Sequence, residues 1–235
     1  MMHLPDLPEI EAAAQVVYRH FQATPQYRWA LLSERLGTDC WVKHENHTPV
    51  GAFKIRGGLT YFEQLAQRGA LPREVISATR GNHGQSVGWA ARAHGVACTI
   101  VVPHGNSLEK NAAMRALGVT LIEYGDDFQA SREHAQQLAE TRGAHMVPSF
   151  HPALISGVST YWWEFFKAVP QLDVVYVPIG LGSGVCAAIA AKLGLGHRAR
   201  IVGVVSTGAT TYADSLAAGH VVEAQVTTRL ADGMA

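Results

Sequence analysis

Short apolar runs rich in β-branched residues alternate with helical stretches along most of this chain. The runs are residues 75–78, 99–102, 119–122, 174–177 and 201–205. Short runs that are apolar throughout are typical of strands buried on both faces, and strands that alternate with helices predict parallel β-α-β units. The sequence therefore predicts an α/β protein whose parallel sheet is covered by helices on both faces.

Glycines and capping residues predict where several helices begin and end. Gly95, Gly118 and Gly143 follow helices that we expect to end at positions 94, 117 and 142, because a left-handed residue commonly separates a helix from the next strand. Near the N-terminus, apolar residues at helical spacing predict an amphipathic helix over residues 8–22, preceded by a capping pattern that starts at Asp6.

The composition excludes partners that are recognised by net charge. The 235 residues are 48% hydrophobic and 16% charged, enough to bury the core of one large or two small domains. Lysines and arginines equal aspartates and glutamates at 19 each, so no net field attracts nucleic acid or an anionic membrane. Neither a nucleic acid nor a membrane is an expected partner.

The cysteines and the N-terminus favour a cytoplasmic location. Cys40, Cys98 and Cys186 are far apart and have no metal-ligand spacing, which suits free thiols in a reducing compartment. The N-terminus lacks the basic start and apolar run of a signal peptide, and no stretch approaches the length of a membrane span. A cytoplasmic protein is therefore expected.

Three glycine-containing segments carry residues whose chemistry points to an activity. The first, residues 51–58, contains Lys54; the second is residues 79–85; and the third, residues 180–184, lies between a predicted strand and a helix expected to begin near Val185. A lysine amine can carry a cofactor as a Schiff base, and a glycine loop that opens a helix can bind its phosphate. A second polar loop can hold a substrate carboxylate. Together the segments predict a pyridoxal-phosphate enzyme.

Each segment also has a simpler interpretation. Lys54 alone could be a solvated lysine at a helix start, and residues 180–184 alone could be a tight turn. A dinucleotide-binding fingerprint requires G-x-G-x-x-G, and Val185 stands where its third glycine belongs. The presence of all three segments in this order favours the cofactor interpretation.

With Lys43-His44-Glu45-Asn46 just before Lys54, these segments resemble the fold-type-II pyridoxal-phosphate family, in particular its serine/threonine dehydratase and serine racemase branch. The resemblance covers nearly the whole chain. It implies a fold like that of the tryptophan synthase beta subunit, with two doubly wound parallel-sheet domains and the cofactor between them. The large domain would comprise residues 1–70 and 150–235 and be incomplete at the C-terminus, and the small domain residues 71–149; a homodimer is the expected assembly.

The resemblance also implies roles for individual residues. Lys54 would be the catalytic residue, because it would hold the cofactor and then remove the α-proton of the substrate. Both tasks need a lowered lysine pKa, which burial and the neighbouring Arg56 would supply. The expected cofactor-binding residues are Phe53, Lys54, Asn82, Gly180, Leu181, Gly182, Ser183 and Gly184. The expected substrate-binding residues are Thr79, Arg80, Gly81, Asn82 and His83.

Arg80 and residues 205–211 depart from the family pattern. Arg80 stands where racemases carry a proton-donating serine, and an arginine is a poor proton donor but a good carboxylate clamp. Arg80 would bind either a second substrate carboxylate, as in 3-hydroxyaspartate, or only the α-carboxylate or a structural carboxylate. Residues 205–211 lack the carboxylates with which many relatives bind a structural divalent cation, so no metal is expected there.

The function expected from these observations is a pyridoxal-phosphate-dependent ammonia-lyase. It would convert threonine, serine or 3-hydroxyaspartate to a 2-oxo acid and ammonia. The alternatives are a β-replacement enzyme, an amino-acid racemase and a non-catalytic cofactor-binding fragment. The final residues, 230–235, resemble a segment that relatives follow with further strands and helices. The polar residue that contacts the pyridine nitrogen is accordingly expected beyond the end of this chain.

Overall fold

The computed structural model of the chain describes residues 3–224, 226–228 and 232–234, and helices alternate with strands along most of that length. The helices are α1 (Leu7–Tyr18), α2 (Ala30–Leu36), α3 (Lys54–Gln67), α4 (Asn82–Ala93), α5 (Leu108–Ala116), α6 (Phe128–Arg142), α7 (Pro152–Ala168), α8 (Ser183–Leu195) and α9 (Thr211–Ala218), with 3-10 turns at Glu45–His47 and Asp232–Met234. The strands are β1 (Gln26–Arg28), β2 (Trp41–Lys43), β3 (Glu74–Ala78), β4 (Ala97–Val102), β5 (Thr120–Glu123), β6 (His145–Met146), β7 (Val174–Pro178) and β8 (Arg200–Val204).

Most of the strands pair in parallel, as the sequence predicts. One sheet has the order β5-β4-β3-β6 with every pair parallel, and β7 pairs in parallel with β8. The antiparallel pair β1–β2 was not among the predicted strands. Ile76, Ile100 and Val101 are fully buried, as expected for strands with helices on both faces. The predicted α/β architecture is confirmed.

The predicted helix ends are confirmed at the glycines. Gly95, Gly118 and Gly143 have φ values of 67°, 86° and 63°, in the left-handed region. Val119, predicted to begin a strand, lies instead in the turn after α5, where its N–H donates to the Met114 carbonyl at 3.4 Å. For that reason β5 begins one residue later.

The N-terminal helix is shorter than predicted. Asp6 caps α1 and forms a capping box with Glu9, but the helix ends at Tyr18 and does not reach position 22. The N–H groups of His20 and Phe21 both turn back to the Val17 carbonyl, so the helix tightens and stops. Beyond this turn, Phe21 packs against the core around α3.

Helices α3 and α7 pack with their backbones in close approach, and this contact positions the start of α3. A Cβ atom at Gly57 would lie 2.7 Å from the Leu154 carbonyl oxygen, and one at Gly157 would collide with the Arg56 carbonyl. Only glycine fits at both positions. Helix α7 also packs along α8, so the first residue of α3 lies close to the first residue of α8.

Two further observations concern the whole described chain. None of its helices combines the length and the apolar character needed to cross a membrane. Part of the final segment expected to precede further elements, namely positions 230, 231 and 235, lies outside the described residues.

Candidate active site

A cavity of about 690 Å³ opens where the carboxyl ends of β3 and β7 meet the starts of α3, α4 and α8. Parallel α/β proteins bind ligands at this end of their strands because helix N-termini converge there. The cavity is lined by every residue that the sequence nominated: Phe53, Lys54, Thr79, Arg80, Gly81, Asn82, His83, Gly180, Leu181, Gly182, Ser183 and Gly184. Three segments that are far apart in sequence thus face a single space.

Lys54, the first residue of α3, is held at both its main chain and its side chain. The Ser86 hydroxyl of α4 donates to the Lys54 carbonyl at 2.6 Å, and the Lys54 amine donates to the Ser183 hydroxyl at 2.8 Å. The amine also lies 5.3 Å from the centroid of the Phe53 ring. Burial lowers the pKa of the Lys54 amine to about 8. An amine with this pKa is partly neutral near physiological pH, which a base or nucleophile requires.

The expected contribution of Arg56 to this lowered pKa is wrong. The guanidinium of Arg56 is fully buried and pairs with both Glu45 and Glu164. Burial opposes its charge, but the two carboxylates outweigh that effect and hold the pKa of Arg56 above its usual value. Because its charge is compensated, the lowering of the Lys54 pKa is due to burial.

Arg56 is the centre of a buried polar network that the sequence analysis missed. Glu45 accepts from its Nε and Nη2 at 2.7 and 2.9 Å, and Glu164 accepts from its Nη1 and Nη2 at 2.6 and 3.0 Å. Lys43 and Tyr18 also donate to Glu164, at 2.6 and 3.0 Å. The sequence contained a signal for this network: Glu164 is the only acidic residue in the otherwise mostly apolar helix α7.

The loop at residues 180–184 leaves a helix N-terminus open to the cavity. Gly182 adopts φ 93° and precedes α8 without a side-chain cap. The first backbone bond that closes the helix runs from the Cys186 N–H to the Gly182 carbonyl at 3.0 Å. The helix therefore begins at Ser183, two residues before the predicted Val185. Its first-turn N–H groups lack partners within the helix, and they attract anions together with the helix dipole.

The loop at residues 79–83 forms the second open helix start. The Gly81 N–H donates to the Thr79 hydroxyl at 3.0 Å, and Gly81 precedes α4 without a side-chain cap. By contrast, the side chains of Ser107, Asp127 and His151 cap α5, α6 and α7. The starts of α4 and α8, both at the cavity, are thus left available for ligands.

His83 contributes a buried polar atom without a partner. The residue is 8% exposed, and its Nε2 atom has no hydrogen-bond partner in the described part of the chain. Burial, aided by the charge of Lys54, lowers the pKa of His83 to about 3, so the imidazole is neutral. An unpaired buried nitrogen in a cavity wall is costly unless a ligand satisfies it. With the two open helix starts, it indicates a site that fits an anionic, polar group such as a phosphorylated cofactor.

Arg80 lies at the cavity wall and is exposed. No carboxylate within residues 3–224, 226–228 and 232–234 forms an ion pair with it. The alternative that Arg80 binds a structural carboxylate therefore has no candidate partner among those residues. Its charge is available to a ligand.

The sequence analysis missed one wall of the cavity. The wall includes Lys110 from α5 and the segment that begins α6; its residues are Lys110, Asp127, Phe128, Gln129 and Ser149. A Cβ atom at Gly81 would lie 3.2 Å from the Lys110 Cγ atom, so Lys110 lies directly over the substrate loop. The side chain of Asp127 accepts from the Ala130 N–H at 2.8 Å, as an N-cap. A helix start of this type is readable from sequence, but its position at the cavity is not.

No cluster of three or more histidine, cysteine or acidic residues suited to a metal ion occurs in the described part of the chain. The segment at residues 205–211, where the sequence offered no carboxylate, follows β8 and leads into α9.

Comparison with known proteins identifies relatives over nearly the whole chain. A family model described as "Pyridoxal-phosphate dependent enzyme" matches residues 17–235. An L-threonine ammonia-lyase of Geobacter sulfurreducens is 37% identical over 86% of this chain and 50% of its own length. An L-threo-3-hydroxyaspartate ammonia-lyase of Saccharomyces cerevisiae is 29% identical over 99% of this chain and 71% of its own length. The chain spans 38% to 50% of the first curated relatives that it matches.

The fold has solved counterparts. The structure of maize serine racemase superimposes with a TM-score of 0.91 at 26% identity, over 99% of this chain and 70% of the racemase. The expected fold-type-II class is therefore confirmed.

Proposed function

The chain belongs to the family of pyridoxal-phosphate dependent enzymes, and from that premise we propose that it is an ammonia-lyase acting on threonine, serine or 3-hydroxyaspartate. The products would be a 2-oxo acid and ammonia. One observation carries the proposal: the Lys54 amine, the open start of α8 and the open start of α4 line a single cavity, with the amine 2.8 Å from the first side chain of α8. The ammonia-lyases named above supply the reaction class.

The residues of the cavity fit pyridoxal phosphate. The N–H groups at residues 180–184 and the dipole of α8 would hold its phosphate, Lys54 would hold its carbonyl carbon, and Phe53 and Asn82 would contact the rest of the cofactor. When bound, the cofactor supplies an electron sink for the charge left as a proton leaves the carbon next to the substrate amine.

Lys54 would act as the base that removes this proton. Its amine needs to be neutral to accept a proton at Nζ, and a pKa of about 8 keeps a useful neutral fraction near physiological pH. The buried wall around His83 restricts access of water to the amine. A dry, weakly polar surrounding sustains the lowered pKa.

The substrate carboxylate would bind at the start of α4. The free N–H groups of its first turn and the dipole of the helix favour a carboxylate at residues 79–83. The charge of Arg80 lies beside them without an intramolecular ion pair in the described part of the chain. We propose that Arg80 binds a second carboxylate, as in 3-hydroxyaspartate, and the named activity of the yeast relative is consistent with this.

Racemisation is a less favoured reaction, although maize serine racemase shares the fold. A racemase needs a proton donor on the face of the substrate opposite the lysine. By the family resemblance this position belongs to Arg80, and an arginine keeps its protons at any physiological pH.

The same resemblance supports a homodimer, a cytoplasmic location and a domain division with residues 71–149 as the small domain. The sheet β5-β4-β3-β6 lies within that small-domain range.

Replacing Lys54 by alanine tests the proposed function. Wild type mixed with pyridoxal phosphate should develop the visible absorption of bound cofactor and release 2-oxo acid from at least one of the three amino acids. Lys54→Ala should show neither, while Lys167→Ala, which removes an exposed lysine of α7, should behave as wild type. Bound cofactor without 2-oxo acid would exclude the ammonia-lyase reaction, and equal cofactor absorption in Lys54→Ala would exclude Lys54 as the carrier.

Replacing Arg80 by alanine tests the second carboxylate. Loss of one charge-assisted contact should lower kcat/KM for 3-hydroxyaspartate roughly tenfold or more, while threonine turnover falls much less. Arg198→Ala, at an exposed position far along the chain, is the control. Equal losses for both substrates would show that Arg80 binds only the α-carboxylate.

A further inference from the structure

Ser183 combines two environments that are seldom combined in one residue. It is the first residue of α8, is 3% exposed, and lies among the free N–H groups that face the cavity. Its hydroxyl oxygen also accepts a hydrogen bond from the Lys54 amine at 2.8 Å. No other hydrogen-bond partner of this amine occurs in the described part of the chain.

A serine hydroxyl that accepts one hydrogen bond still has its own proton to donate. The space in front of Ser183 is the open end of α8, where an anion is favoured. The hydroxyl can therefore accept from the amine of Lys54 and donate to an anion at the helix start at the same time.

We propose that Ser183 is a positioning residue that holds the free amine of Lys54 at the start of α8. The amine occupies this position whenever the cofactor carbonyl is not bonded to it, both before cofactor capture and after a substrate amine has displaced it. The inference rests on the proposed role of Lys54 as the lysine that carries the cofactor.

The physical reason is that few other groups can form a hydrogen bond or an ion pair with the amine of Lys54. It is shielded from solvent, has no carboxylate partner among the described residues, and lies 5.3 Å from the Phe53 centroid, a weak cation–π contact. The neighbouring imidazole of His83 is neutral and its Nε2 atom is unpaired. The hydroxyl of Ser183 is thus the principal group that stabilises the charged amine and defines its direction.

The inference makes a signed prediction about the amine itself. A hydrogen bond from an ammonium to a hydroxyl is stronger than one from the neutral amine, so it stabilises the charged form. Removing the hydroxyl in Ser183→Ala should lower the pKa of Lys54 by about one pH unit. Ser183→Thr, which retains a hydroxyl, should restore it.

The experiment measures the Lys54 amine in the 235-residue chain freed of cofactor. Trace acetylation with isotopically labelled acetic anhydride, followed by mass spectrometry of the Lys54 peptide, reports the neutral fraction of the amine as pH is varied. At a pH well below both pKa values, Ser183→Ala should be labelled about tenfold faster than wild type. A merely structural role of Ser183 would not move this curve in a protein with an unchanged circular dichroism spectrum.

Cofactor capture provides the second readout. The rate at which pyridoxal phosphate is captured should follow the neutral amine, so its pH midpoint should move down in Ser183→Ala and return in Ser183→Thr. An unchanged or raised pKa in Ser183→Ala, or equal shifts in both variants, would overturn the proposal. Lys54→Ala in the same capture assay tests the carrier role of Lys54 separately, so failure of that role and failure of the Ser183 proposal are distinguishable.

Discussion

Lys54 and Arg56 lie two residues apart at the start of the same helix, yet the protein treats their charges in opposite ways. Arg56 is fully buried between two carboxylates that hold its charge permanently. Lys54 faces a cavity, its amine bonded to a neutral hydroxyl, and burial lowers its pKa to about 8. A buried charge that is paired with carboxylates keeps its proton and helps to hold the fold. A buried amine without such a partner remains able to lose its proton, which a reactive group requires.

The largest effect is expected from removing one of the two carboxylates that pair with Arg56. Glu164→Gln removes one of the two carboxylates and leaves the buried cations Arg56 and Lys43 with a single anion, so the free energy of unfolding should fall by about 3–5 kcal/mol. Urea denaturation measures it. Glu11→Gln, at an exposed position of α1, is the control, and a loss no greater than that control's would show that the network does not stabilise the fold.

The next test removes one hydrogen bond from the same network and leaves its charged groups in place. Tyr18→Phe deletes a hydroxyl that donates to Glu164 at 3.0 Å, and the lost bond should lower the free energy of unfolding by about 1 kcal/mol. Tyr176→Phe, at a mostly exposed side chain of β7, should cost far less. If both substitutions had equal effects, the contact with Glu164 would contribute nothing.

The smallest expected effect tests the lowered pKa of Lys54. Because its folded-state pKa lies below its unfolded value of 10.5, the unfolded chain binds more protons between about pH 8 and pH 10.5, and wild-type stability should gain over this window. Lys54→Met lacks the titrating amine and should be more stable than wild type at neutral pH by less than about 1 kcal/mol, because the hydrogen bond to Ser183 offsets part of the cost of burying the charge.

Thermal unfolding of the two proteins across this pH range measures the difference. It should shrink as pH rises from about 8 to 10.5. A constant difference would mean that the pKa of Lys54 is not lowered by folding.

Much of the fold was predictable because its signals are local. Apolar runs identified every parallel strand except β6, and Gly95, Gly118 and Gly143 marked helix ends through a conformation that only glycine adopts easily. The length of the N-terminal helix was predicted wrongly, and the error falls where a tertiary contact forms. Helix α1 stops at Tyr18, and Phe21 beyond it packs against the core around α3, a contact that periodicity does not contain.

The candidate site was predictable to the same extent. Residues of the three glycine-containing segments were nominated from their chemistry, and all of them line one cavity. The wall contributed by Lys110 and residues 127–129 was not, because it comes from the starts of α5 and α6 and nothing in their sequence indicates that they face the cavity.

By itself the sequence nominated Lys54 as the candidate reactive lysine and the loops proposed to hold a phosphate and a carboxylate, because those nominations depend on residue type and on neighbours along the chain. Only the tertiary structure decided which charges are compensated. Glu164 reaches Arg56 across 108 residues, and Ser183 reaches Lys54 across 129. A pKa depends on what surrounds a group in space, so the pairing of one cation and the freedom of the other exist only in the folded chain.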